Sequence, residues 1–202
     1  NITVTGVNDD PVLSGIEITP LPYTAGAGPL VLTETIHVAD TDNATLSGAT
    51  VIISGNYQSL EDRIRFTNVS GISGTWSTAT GTMTLTGTAS VANYRNALRT
   101  IRYENINTVN PVSLPRTVEI RVSAGAAFSN TLSRVVSYVP TGTISGGGTV
   151  CKYQKDTIVI DLTGEPAWIV IVRRTGNSNP LLNKDSTITN ITSTPHSFQT
   201  FA

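Results

Sequence analysis

Two aspartates one residue apart, Asp40 and Asp42 in Val38-Ala39-Asp40-Thr41-Asp42, come closest in this chain to a chemical site. They fall where an apolar stretch gives way to a turn, and a hard cation such as calcium gathers about six to eight oxygens from loops of that kind. Two carboxylates alone are too few for such a shell. They also fit the plainer role of solvated turn residues whose side chains bond their own backbone. Glu34 shares the parity of Leu32, Ile36 and Val38. It either faces the apolar side, where a carboxylate needs a partner, or precedes the strand and is solvated.

No catalytic or cofactor-binding residue emerges, and the chain does not read as an enzyme. Ser-His-Asp chemistry needs a histidine held between nucleophile and carboxylate. The histidines are His37, on the polar parity of its strand, and His196, far along the chain; both read as surface residues. Zinc spacings are absent, and Gly146-Gly147-Gly148 lacks the following Lys-Ser/Thr of a phosphate loop. Glu61, Asp62, Glu104 and Glu119 could supply the carboxylate pair of a glycosidase only if the fold brought them together, and nothing in their spacing favours it. Cys151 is the lone thiol; it either packs in a core or pairs with a cysteine elsewhere. Tyr23, Tyr57 and Tyr153 read as exposed, conceivable contacts for a glycan, while Trp76 and Trp168 read as core.

The elements that must position these residues are strands. In Val118-Glu119-Ile120-Arg121-Val122 the apolar residues share one parity and the charged ones the other, as a half-buried strand requires. Arg63 to Phe66 and Thr82 to Thr86 alternate in the same way, and further strands are expected over 35–39, 49–54, 101–104 and 131–138, with 157–160, 168–172 and 187–191 beyond. Only 90–99 breaks the rule. There Val91, Tyr94 and Leu98 recur at helical spacing behind Ser90, which predicts a short capped helix. The fold class is therefore all-β, tandem sandwiches with one short helix.

Composition agrees. Of 202 residues only 13% are charged and the formal net charge is -1, which removes the broad attraction that general nucleic-acid binding needs, and no apolar run is long enough to insert in a membrane. Lysine occurs only at 152, 155 and 184, after Val139-Pro140-Thr141-Gly142. A boundary near residue 140 follows, with one sandwich before it and 140–202 as part of another. The start at Asn1 and the shortness of the second unit read as a segment of a longer chain whose last sheet edge, beyond Ile188, is open to another strand.

The string Val7-Asn8-Asp9-Asp10-Pro11-Val12-Leu13 resembles the linker of bacterial cadherin-like repeats, which stand in tandem in large surface adhesins. The similarity continues through Leu46-Ser47-Gly48-Ala49-Thr50-Val51, Ser70 to Trp76, Leu85 to Tyr94 and Ile101 to Asn105, about residues 8–138. It implies that 1–7 is the final strand of a preceding repeat and 8–139 one sandwich repeat, and that Asp9 and Asp10, with Asn8, join Asp40 and Asp42 around calcium and stiffen the junction to the neighbouring repeat. The acidic pair such repeats often carry near their start is replaced by Ala25-Gly26-Ala27, and a late Asn-Asp-Gly by Ser123-Ala124-Gly125. Thr143 to Cys151 and Gly164 to Trp168 resemble the immunoglobulin-like or polycystic-kidney-disease-like modules of Bacteroidetes surface proteins, including gliding adhesins exported by the type IX system. The resemblance implies an extracellular, secreted cell-surface spacer whose partners are neighbouring repeats of the same polypeptide, or a secretion or filament complex. The alternative is a module that binds a surface polysaccharide or protein. Asp156-Thr157-Ile158 and Asp185-Ser186-Thr187 resemble the O-glycosylation acceptors of the same bacteria.

Overall fold

A computed structural model of the chain describes residues 8–109, 111–146, 155–163, 168–173, 185–193 and 195–201. The expected leading strand over 1–7, the Gly147-Gly148 stretch, Cys151, Tyr153 and Gly164 to Ala167 lie outside the described residues. The protein is all-β with one short helix. It divides into two compact units, Asn1–Tyr138 and Val139–Ala202.

In the first unit the larger sheet runs β2 (Leu21–Tyr23), β12 (Leu132–Tyr138), β10 (Arg116–Ala124), β5 (Thr45–Gly55), β8 (Thr82–Ser90) and β7 (Ser73–Ser77), with β11 (Ala127–Phe128) folded back on β10. Two smaller sheets complete it: β3 (Leu30–Val31), β9 (Arg102–Asn105) and β6 (Asp62–Arg65) in that order, and β1 (Val12–Ser14) paired with β4 (His37–Ala39). Alternation decides what is inside. Val51, Ile53, Met83, Leu85, Val118, Ile120 and Val122 of the large sheet meet Leu13, Leu32, Val38, Ile64 and Tyr103 in a single buried cluster, while Thr50, Thr84 and Arg121 between them stay exposed.

The opening stretch of the chain serves both layers. Val12 to Ser14 pair antiparallel with β4, and seven residues later Leu21 to Tyr23 pair parallel with Val136 to Tyr138 of the last strand. The chain enters and leaves the unit at opposite ends. At one end, Leu13 N–H and carbonyl bond the Asn130 side chain just before β12 begins. At the other, Val136 of β12 lies beside Arg116, next to Thr117, which pairs with Gly55 at the far end of the eleven-residue β5.

Helix α1 (Val91–Leu98) forms where the 3.6-residue spacing places it. The Ser90 hydroxyl accepts the Asn93 N–H at 3.1 Å, Tyr94, Ala97 and Leu98 are buried, and the Tyr94 hydroxyl donates to the Gly87 carbonyl at 2.6 Å. Gly87 has φ +127°, and a Cβ there would stand 2.2 Å from the Gly71 carbonyl oxygen, so no other residue fits this crossing.

Single-residue expectations fare unevenly. Tyr23 is fully buried, because it shares the inward parity of Leu21 in β2, so it is no exposed glycan contact. Tyr57 is half-buried and its hydroxyl is held by the Thr78 carbonyl. Trp76 stands at the fringe of the core rather than within it, edge-on to Tyr57 at 6.2 Å, because β7 is a sheet edge. Glu34 is exposed, since β4 starts only at His37.

The second unit contains a three-stranded sheet, β13 (Gly142–Gly146), β14 (Lys155–Leu162) and β17 (His196–Phe201), and a pair, β15 (Trp168–Arg173) with β16 (Asp185–Ile191). Among the described residues its buried apolar side chains are Ile160 and Ile191, whereas Ile144, Ile169 and Ile171 are exposed. No helix among the described residues is long and apolar enough to cross a membrane.

Candidate functional site

Asn8, Asp9, Asp40 and Asp42 meet at the N-terminal joint of the first unit, and Asp10 beside them is exposed. There β4 ends at Ala39 and the turn through Asp40 to Asn43 faces the incoming segment. The Asp9 N–H donates to Asp42 Oδ2 at 2.9 Å. Asn43 Nδ2 donates to Asn8 Oδ1 at 2.8 Å and to Asp42 Oδ1 at 3.1 Å. Asp40 Oδ1 accepts the Asn43 N–H at 2.9 Å and the Asp42 N–H at 3.3 Å, the Asx-turn pattern. Burial alone would raise the Asp40 carboxyl, but hydrogen bonds from Asn43 and Asp42 hold it below the ordinary carboxylate range.

Those bonds bear on calcium. Both Asp42 oxygens, Asp40 Oδ1 and Asn8 Oδ1 each already take an N–H, and Asp40 Oδ2 is buried without a partner. Asp9 and Asp10 are exposed. Among the described residues no three His, Cys, Asp or Glu side chains stand close enough to hold a metal ion. As arranged here the joint residues do not make a calcium shell of about six to eight oxygens. They make a hydrogen-bonded clamp between the linker and the turn, in which Asn43, absent from the sequence reading, is the central donor.

The opposite end of the unit holds a polar network that sequence reasoning missed. Asp62 opens β6 and Arg116 opens β10; both are fully buried, with Arg116 Nε 2.7 Å from Asp62 Oδ2. Tyr103 donates its hydroxyl to Asp62 Oδ1 at 2.7 Å and meets the Tyr138 hydroxyl at 3.1 Å. Asn105 Nδ2 bonds Tyr138, Asp62 and Glu61. The remaining guanidinium nitrogens of Arg116 donate to the carbonyls of Leu114 and Val112, which pins the loop ahead of β10. Every charge there has an opposite charge or dipole facing it, as burial demands. Burial pushes the Tyr138 phenol up to about 12 and raises Tyr103 further. A signal was present: Asp62 shares the parity of Ile64, and Arg116 that of Val118 and Ile120, so two opposite charges stood at core positions.

The four acids weighed as a hydrolytic pair are each committed elsewhere. Glu61 and Asp62 surround Arg116, Glu104 pairs with Arg65 at 2.6 Å, and Glu119 accepts the Ser54 hydroxyl at 2.9 Å. His37 is exposed and His196 half-buried. Both ends of the unit thus hold chain segments in place by polar bonds.

No family model matches the chain. It is similar to Halomucin of Haloquadratum walsbyi, 34% identical over 86 residues, a stretch that takes in 40% of this chain and 1% of that protein. The chain therefore spans a very small part of the curated relative it matches. Since 86 residues are 1% of it, the relative is thousands of residues long.

Proposed function

We propose that this chain is a non-catalytic spacer segment of a very large, secreted cell-surface polypeptide, with 8–139 as one cadherin-like repeat. Its task is to carry adhesive parts away from the cell. The observation that carries the reading is the placement of the first unit's termini at opposite ends, with β2 parallel to β12. Tension applied through the two termini then slides these strands along each other, loading their hydrogen bonds together rather than one at a time. The clamp at Asp42 and Asn43 fixes the incoming segment, and Tyr138, the final residue of β12, is fastened into the buried network. Similarity to a stretch of a protein thousands of residues long supports the reading, and so does a surface with few charges.

Scattering by an array of four copies of residues 8–139 tests it. A rod whose length grows in proportion to copy number is the expected result. A compact particle, or turnover of a substrate by the isolated unit, would overturn it.

A further inference from the structure

The outer face of the large sheet is a ladder of hydroxyls beside an arginine. Register sets Thr75, Thr84, Thr50 and Arg121 in a row across β7, β8, β5 and β10. The adjacent row reads Ser73, Thr86, Gly48 and Ser123. Gly48 is buried, and a Cβ there would stand 3.0 Å from Ser123 Oγ and 3.2 Å from the Leu85 carbonyl oxygen, so Ser123 closes over it. Beside it lies a hollow of about 210 Å³ bounded by Thr50, Thr84, Thr86, Ser123, Arg121 and Phe128.

Arg121 is prepared for a ligand. Its Nε donates to the Ser129 carbonyl at 3.0 Å, and its guanidinium carbon lies 4.4 Å from the centre of the Phe128 ring. Backbone and ring therefore fix the plane of the group. No carboxylate forms an ion pair with it among the described residues. The next acid on the same face, Glu119, is two residues away, about 7 Å along the strand, and it accepts the Ser54 hydroxyl. The two terminal nitrogens of Arg121 form a fork suited to a planar carboxylate.

We propose that this hollow binds a carboxylate-bearing sugar unit of an acidic polysaccharide. Arg121 takes the carboxylate in bidentate fashion. The hydroxyls of Thr50, Thr84 and Thr86 both donate and accept, which matches the vicinal hydroxyls of a pyranose, and the ring of Phe128, 49% exposed, offers an apolar surface to its C–H face. An acidic peptide is less well served. β5, β8 and β10 are interior strands with neighbours on both sides, so no free sheet edge is there to hold a peptide backbone. One hollow per repeat gives weak binding that a tandem array multiplies. This goes beyond the spacer reading; the hollow and its ligand do not depend on it, and only the multiplication by a tandem array does.

The test is amide chemical-shift mapping on the full 202-residue chain with trigalacturonate, its neutral counterpart galactotriose, sodium acetate and polyglutamate as probes. The expected result is a saturable response to trigalacturonate centred on Thr50, Thr84, Thr86 and Arg121, with the neutral trisaccharide at least about tenfold weaker, the loss of one charge-assisted contact. Arg121→Gln removes the preference for the acidic sugar. Thr84→Val, an exposed and nearly isosteric change that leaves the fold intact, weakens both sugars. Equal binding of the two trisaccharides, unaltered binding by Arg121→Gln, or a response as strong to acetate alone would overturn the proposal. An equal response to polyglutamate would overturn the sugar class and reassign the hollow to acidic peptides.

Discussion

Arg116 and Asp62 show most sharply what one residue can decide in this molecule. Each is fully buried, so removing either leaves the other charge without compensation. Arg116→Met is expected to lower unfolding free energy by about 3–5 kcal/mol, measured by urea denaturation, and Arg116→Lys is expected to recover little, because an ammonium cannot reach Asp62 and two carbonyls at once. Titration makes a second prediction. Burial alone would raise the Glu17 carboxyl, but the Thr33 hydroxyl, the Glu34 N–H and Arg134 bring it down from 4.5 to about 2. A depressed acid stabilises the fold above its unfolded value and loses that contribution as protons bind, so stability falls between pH 4.5 and about 2. Glu17→Gln flattens that limb in acid melts. Tyr138 works in the other direction. Raised from 10.0 to about 12, it contributes fully below pH 10 and loses its contribution as the phenol ionises. Alkaline unfolding is therefore expected across that window, and Tyr138→Phe diminishes its steepness. Tyr23 gives the lesson in what sequence conveys at this scale. A tyrosine two residues after Leu21 reads as inward only once a strand is known there, and a three-residue strand leaves too short a pattern to declare itself.

Legibility followed the clarity of the alternation more than length: β4, β6 and β9, of three, four and four residues, were legible, whereas β7 and β17, of five and six, were not. The nine residues of β10 and of β8 alternate over several periods, and α1 shows one clear change of period with a serine before it, so parity and spacing sufficed. β1, β2 and β3 have three, three and two residues; their existence rests on partners far away in sequence, which no local pattern carries. The N-terminal joint was half legible. The acids of the turn were visible, but the role of Asn43 depends on the folded approach of Asn8 and Asp9. That arrangement predicts that millimolar calcium leaves the melting temperature of the first unit unchanged against chelator. A rise of several degrees would mean that Asp9 and Asp10 swing onto Asp40 and Asp42. At the other crossing, Gly87→Ala must displace the Gly71 backbone. It is expected to cost about 2 kcal/mol or more, read from the same melts, whereas Ser90→Ala loses a cap worth about 1 kcal/mol.

The whole molecule consists of two compact units, Asn1–Tyr138 and Val139–Ala202. Calorimetry of the full chain is expected to give two transitions, one of which vanishes when the chain is shortened to residues 8–139. A single transition lost on shortening would contradict this. In single-molecule pulling through both termini, Leu21→Pro removes an N–H from the β2 ladder, beside Pro22 which already lacks one, and is expected to lower the rupture force. The parallel pair has a further consequence for biosynthesis. Because the twenty-first residue finds its mate only at the hundred and thirty-sixth, the sandwich cannot close while its tail is still inside a ribosome or a translocation channel. Such high contact order slows folding, so the first unit stays an open chain until its final strand emerges and locks only then.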